Sequence, residues 1–266
     1  MTAGRVRAPA VAGTFYPADP AALRAAVEAH LDEARPGRPS GRSPKAIVAP
    51  HAGYDFSGAV AARAYARLLS ARGRVERVVL LGPGHRFPLA AIAAPGTDVW
   101  ETPLGPLAVD TAARRHLVAA GLVVVSDEAH AEEHSLEVHL PFLQVALGDV
   151  RVVPLVVGRA VISSIADVLD AVWGGEETRI VVSTDLSHYH DGATAAELDR
   201  RTAAAIVARQ ADAVGPGDAC GVFPLRGLLE AARRHALDVE LLDLRTSADT
   251  GGPASRVVGY GAFALS

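Results

Sequence analysis

Cysteine occurs once in these 266 residues, at Cys220. That excludes an internal disulfide and fits a reducing compartment. Lysine is as scarce: Lys45 stands alone among 26 basic residues, which reads as base-composition bias rather than function. The basic residues are scattered and the net charge is −4, so no polyphosphate-binding face is expected and nucleic acid is excluded as a partner. No apolar run approaches the roughly 20 residues that cross a bilayer. Met1–Arg5 leads into no apolar leader segment. Together these features predict a cytoplasmic protein with no membrane association. Gly-x-Ser-x-Gly, the P-loop and the dinucleotide fingerprint are missing too. Gly82-Pro83-Gly84 resembles a phosphate turn but lacks a third glycine at the required spacing.

What is present is a large apolar fraction. Half of the residues are hydrophobic, enough for a sizeable core. The Pro/Gly-rich stretch 35–41 is too short and too near the start to divide two domains, so one domain over 5–266 is expected. Asp19-Pro20 predicts a capped helix running to about Ala34, with Leu23, Val27 and Leu31 on one face. Strands follow at 46–50, 78–83, 122–125, 150–157, 180–184, 239–244 and 257–265. Helices are predicted from about Ser57, from Asp110 to Gly121, over Glu132–Leu147 with an interruption at Pro141, over 162–173, over 195–210, and from Cys220-Gly221 to about His235. The segment 91–109 reads as a hairpin or edge excursion. The fold class this predicts is α/β: a three-layer sandwich whose central mixed β-sheet is covered by helices on both faces.

Three of the strand-like runs end in histidine: Ala46 to His51, Val78 to His85, and Ile180 to His188. Open α/β sheets bind ligands beyond the carboxyl ends of their strands. Imidazole is the commonest protein metal ligand, so three strand-end histidines point to a metal. Taken singly, each has a plainer reading. His51 in Pro50-His51-Ala52-Gly53 could be a turn histidine bonded to a carbonyl. His85 could be exposed in a glycine-rich turn. Asp185 could be a cap or turn residue, or it could orient His188 as a base partner. His190 and Asp191 read as solvated loop. Cys220, at a helix start, could be a reactive thiolate or a small buried apolar residue. In Glu133-His134-Ser135-Leu136-Glu137-Val138-His139, the histidines are five apart, not the four of the helical zinc motif. His134, Glu137 and His139 therefore enter as pocket-facing candidates, with an amphipathic polar face as the alternative.

These stretches, with Pro9-Ala10-Val11-Ala12-Gly13-Thr14-Phe15-Tyr16-Pro17, Leu140-Pro141 and Ala219-Cys220-Gly221, resemble the Memo-like proteins. That family includes the prokaryotic members called AmmeMemoRadiSam system protein B. The likeness runs in family order from about residue 7 to the end of the chain. It implies a fold like that of class III extradiol dioxygenases. It also implies a metal set of His51, His85 and Cys220, with His188 and Asp185 as catalytic residues beside it. The dioxygenases use a carboxylate where this chain offers Cys220, and a thiolate shifts preference toward softer metals. The function implied is a non-haem iron or copper redox enzyme, Fe(II) or Cu before Zn, acting on a small molecule or peptide. Two alternatives stand beside it: a non-catalytic binding or adaptor component working with AMMECR-type and radical-SAM proteins, and a zinc hydrolase.

Overall fold

The computed structural model describes residues 4–35 and 43–266. In chain order it contains β1 (Val6–Arg7), α1 (Pro20–Ala34), β2 (Ala46–Ala49), α2 (Tyr54–Ala66), β3 (Arg77–Pro83), β4 (Ile92–Ala94), β5 (Val99–Thr102), β6 (Gly105–Ala108), α3 (Thr111–Ala119) and β7 (Val124–Val125). There follow α4 (Glu128–Ala131), α5 (Leu140–Leu147), β8 (Arg151–Val157), α6 (Ile162–Ala171), β9 (Thr178–Ser183), β10 (His188–His190), α7 (Gly192–Val207), α8 (Val222–Arg234), β11 (Val239–Thr246) and β12 (Val257–Leu265). Most of the loop read at 35–41 lies outside the described residues.

Nine strands make one sheet in the order β10-β12-β2-β9-β3-β8-β4-β7, with β11 also paired to β12. Its centre, β2-β9-β3-β8, is parallel. β12 joins β2 antiparallel and β4 joins β8 antiparallel, so the sheet is mixed as expected. The excursion at 91–109 contributes β4 to this sheet, and its β5–β6 hairpin forms a separate small sheet with β1. Side chains alternate between two cores. Ile47, Val78, Leu80 and Val181 face α1, α2 and α5; Val48, Val79, Leu81 and Val182 face α3, α6, α7 and α8. Burial on both faces explains why these strands read as unbroken apolar runs rather than alternating ones.

α2 begins at Tyr54 rather than near Ser57, and two further elements depart from expectation for identifiable reasons. Residues 132–147 are not one interrupted helix. Pro141 has no N–H and crowds the carbonyl four residues before it, so α5 begins at Leu140 with the proline in its first turn. Glu137–His139 tighten into a 3₁₀ turn ahead of it. α7 starts at Gly192, not Ala195, because the Asp191 carboxylate accepts the Ala193 and Thr194 N–H groups. Asp191 is thus a cap, and His190 lies exposed on the short edge strand β10.

The chain makes β2, then β3 two places away, later β8 beyond it, and only then returns to lay β9 between β2 and β3. All four strands end on the same edge. The carboxyl ends of β2, β9 and β3 therefore meet where the winding reverses, the place at which such sheets hold ligands.

Candidate metal centre

β2 passes the chain to Pro50 and His51, β3 to Gly84 and His85, and β9 to Thr184 and Asp185. His51 and His85 flank the end of β9, with ring centroids 5.2 Å apart. A third imidazole, His134, comes from the turn before α5 and stacks on His85 at 4.8 Å. Among the described residues, His51, His85 and His134 form the one group of three metal-type side chains whose ligand atoms all lie within 4.8 Å of one another. Phe15 packs against His134 from outside, with centroids 4.7 Å apart.

The remote nitrogens of two rings are spoken for. The Ser183 hydroxyl donates its only proton to the Ser135 carbonyl at 2.6 Å. Toward His51 Nδ1, also at 2.6 Å, it can only accept. His51 therefore carries its proton on Nδ1 and a lone pair on Nε2. Glu133 does the same for His85. Its carboxylate accepts from His85 Nδ1 at 3.0 Å, from the His85 N–H, and from the Ser135 N–H at 2.9 Å. Burial alone would raise the Glu133 carboxyl, but those donors outweigh it and hold it at about 2. A carboxylate behind a histidine fixes the ring and raises its basicity as a ligand. His134 Nδ1 is buried without a hydrogen-bond partner, 3.4 Å from Glu133 Oε1. Burial, followed by the neighbouring imidazoles, lowers His51 well below the usual histidine range, so its ring is neutral. The residues present fit a cation that favours imidazole: zinc, copper, iron or nickel.

The remaining sequence candidates are distributed around this group. Cys220 lies outside the three but touches one of them, its Sγ 3.3 Å from His51 Nε2. Gly221 allows that approach, since a Cβ there would stand 2.6 Å from the Ser183 carbonyl oxygen. The helix start does not make Cys220 a thiolate: burial first, then the Asp185 charge, pushes the thiol up to about 12. Asp185 Oδ1 accepts the His51 backbone N–H at 2.8 Å, and burial raises its carboxyl. It makes no hydrogen bond to the His188 ring. His188 is oriented instead by the Leu186 carbonyl, which accepts from Nδ1 at 2.7 Å and leaves Nε2 with the lone pair.

Glu137 and His139 do not join the group. Glu137 is fully buried and accepts four donors: Arg7 Nη1, the Ala10 and Val11 N–H groups and the Tyr16 hydroxyl. Arg7 also binds the carbonyls of His130 and Glu133. This pair fastens the N-terminal segment to the turn that presents Glu133 and His134. His139 is buried against the Tyr65 hydroxyl at 2.9 Å. Sequence reasoning missed Ser183 and Glu133 as supports. Their signals are modest: a hydroxyl closing an otherwise apolar strand, and an acid directly before a histidine.

Buried neutral imidazoles make the fold acid-sensitive. Burial lowers His139 to about 3 and His130 to about 4, and lowers His51 and His134 as well. In the unfolded chain these groups titrate near 6.5. Between about 6.5 and about 4 the unfolded state therefore binds more protons, so stability falls as pH falls through that window. Burial raises the carboxyls of Asp185 and Asp199, which opposes the trend, but they are two groups against five, since burial lowers His30 as well. The urea midpoint of the metal-free protein is expected to drop between pH 7 and pH 5. An unchanged midpoint would contradict the neutral-imidazole assignment.

Comparison with known proteins agrees with the sequence resemblance. The model of the family described as Memo-like protein matches residues 7–264. A MEMO1 family protein of Methanopyrus kandleri is 39% identical over 97% of this chain and 98% of its own. One from Methanothermobacter thermautotrophicus is 36% identical over 96% and 98%. The crystal structure of an uncharacterized Escherichia coli K12 protein superposes with a TM-score of 0.55. It covers 83% of this chain and 99% of that one at 15% identity, a likeness of fold alone. With matches spanning nearly its whole length, the chain belongs to the Memo family.

Proposed function

We propose that this protein is a metal-dependent oxidoreductase whose ion is held by His51, His85 and His134. The observation that carries the reading is the hydrogen-bonding behind the rings: Ser183 and Glu133 each take the Nδ1 proton, so the Nε2 lone pairs of His51 and His85 remain for a ligand. A bound Fe(II) or copper ion would supply one-electron redox and Lewis-acid chemistry at the open end of the sheet. The protein's own groups do the rest. The Cys220 thiol is a soft donor beside His51, placed to add a fourth contact. His188, held by the Leu186 carbonyl, keeps a free Nε2 with which to take a proton from a bound molecule. Asp185 fixes the turn that carries His51.

Anaerobic loading followed by gel filtration and elemental analysis tests the reading. One Fe(II) or copper per chain is expected. Retention of neither metal overturns it, and zinc alone, with activity undiminished in oxygen-free buffer, replaces it with metal-assisted hydrolysis.

A further inference from the structure

A cavity of about 480 Å³ lies between the loop after β3 and the start of α8. Small-molecule sites typically occupy about 300–1,000 Å³. Its walls are mostly apolar, with Phe87, Leu89, Val157 and Phe223 prominent. Cys220 lines it too, and the same thiol stands 3.3 Å from His51 Nε2. Pro83 and Gly84, which lead directly into His85, complete that side. Cavity and imidazole cluster therefore share a wall.

One charged residue lines the cavity, Arg159. It is held in place from its backbone. The Arg159 N–H donates to the Leu89 carbonyl at 2.9 Å. Gly158 lets that loop lie against the end of β8, because a Cβ there would sit 1.9 Å from the Leu89 oxygen. Arginines elsewhere in the molecule are paired: Arg7 with Glu137, Arg77 with Asp110, Arg114 with Asp98. The Arg159 guanidinium has no carboxylate or carbonyl partner among the described residues. Arg86, on the same loop, is likewise without an ion pair among the described residues, and its charge bears on His134. The nearby acids are already engaged, Glu133 by His85 and Ser135, Asp185 by the His51 N–H. Arg159 is exposed to solvent, so the cleft presents one unpaired cation at its rim above apolar walls.

We infer that this cavity binds a small organic acid with an apolar, aromatic body, its carboxylate on Arg159 and its ring between Phe87 and Phe223. A guanidinium offers a fork that matches a carboxylate, and an aromatic body replaces water in the box. That this molecule is the substrate rests on the metal-centre reading; that it binds does not. Phenylacetate and benzoate serve as probes, with phenylacetamide and benzamide as neutral isosteres and acetate as the acid without a ring. Affinities are measured by titration calorimetry on the full chain, with and without metal. The acids are expected to bind about tenfold tighter than the amides, and acetate not at all. Arg159→Gln should erase the preference for acid while leaving amide binding, metal content and Tm unchanged. Phe223→Ala should weaken acids and amides alike. Equal affinity for acid and amide, an acid preference that survives Arg159→Gln, or no detectable binding of either acid overturns the inference. If metal is absent but the acid preference holds, the oxidoreductase reading falls and the binding site stands.

Discussion

If the proposed three-imidazole site holds Fe(II) or copper, replacing His134 with alanine is expected to lower affinity by about 100-fold or more, and Cys220→Ala by about tenfold or less. The order is the informative part. The sequence resemblance implies Cys220 as third ligand beside His51 and His85. The site proposed above uses His134 instead: its ligand atom belongs to the group within 4.8 Å, and its ring lies between His85 and Phe15. Cys220 approaches His51 alone among the three. His51→Ala gives the reference loss, since that ring is buried and held by Ser183. Glu133→Gln falls between, because it leaves three imidazoles but loses the carboxylate behind His85; outer-sphere partners of this kind are worth about 10–100-fold. Competition with a chromophoric chelator under anaerobic conditions reads all four variants. The result that sinks the three-imidazole centre is wild-type affinity in His134→Ala with affinity abolished in Cys220→Ala. The His134 side chain is 14% exposed and packs on two rings, so Tm is measured alongside, and a value near wild type shows that the loss is local.

Glu137→Ala is the most destabilising single change expected in this chain. It leaves the Arg7 guanidinium buried with its countercharge gone, together with two backbone N–H groups and the Tyr16 hydroxyl lacking an acceptor. Breaking a buried pair from one side typically costs about 3–5 kcal/mol. At roughly 2–4 °C per kcal/mol for a chain of this size class, Tm should fall by about 6–20 °C. Arg7→Met should cost nearly as much. The double variant Arg7→Met with Glu137→Gln should recover part of the loss, since no bare charge remains. A loss in Glu137→Ala of under about 1 kcal/mol would mean that the segment 7–16 is not anchored as described. Metal affinity falls with it, because the same contacts hold the turn that carries Glu133 and His134.

These two cases mark how far the sequence is legible. The strand ends are legible because fully buried parallel strands leave unbroken β-branched runs, and His51 and His85 stand at their termini. Asp19 and Asp110 announce their helices by local capping chemistry, which needs no tertiary knowledge. The role of Glu137 is not legible. Its four partners lie more than 120 residues away along the chain, and spacing within 133–139 carries no trace of them. The same limit applies to Cys220. Its place ahead of a helix predicts a lowered pKa, yet the desolvation that reverses it comes from strands elsewhere. His134 is legible as a metal-type residue but not as a neighbour of His85, because that proximity depends on the turn that Arg7 and Glu137 tie down.

The late return of β9 to the middle of the sheet has a consequence for biogenesis. When a ribosome has delivered only the first 170 residues, β2 and β3 already exist but the gap between them has no occupant. The nascent chain must leave two apolar edges unpaired until residues 178–183 clear the exit tunnel. Ser183, which sets the His51 tautomer, arrives in that same insertion, before β12 covers the other edge of β2. Closing a parallel sheet by such a distant pairing is slow. A chain terminated before β9 therefore exposes sticky strand edges.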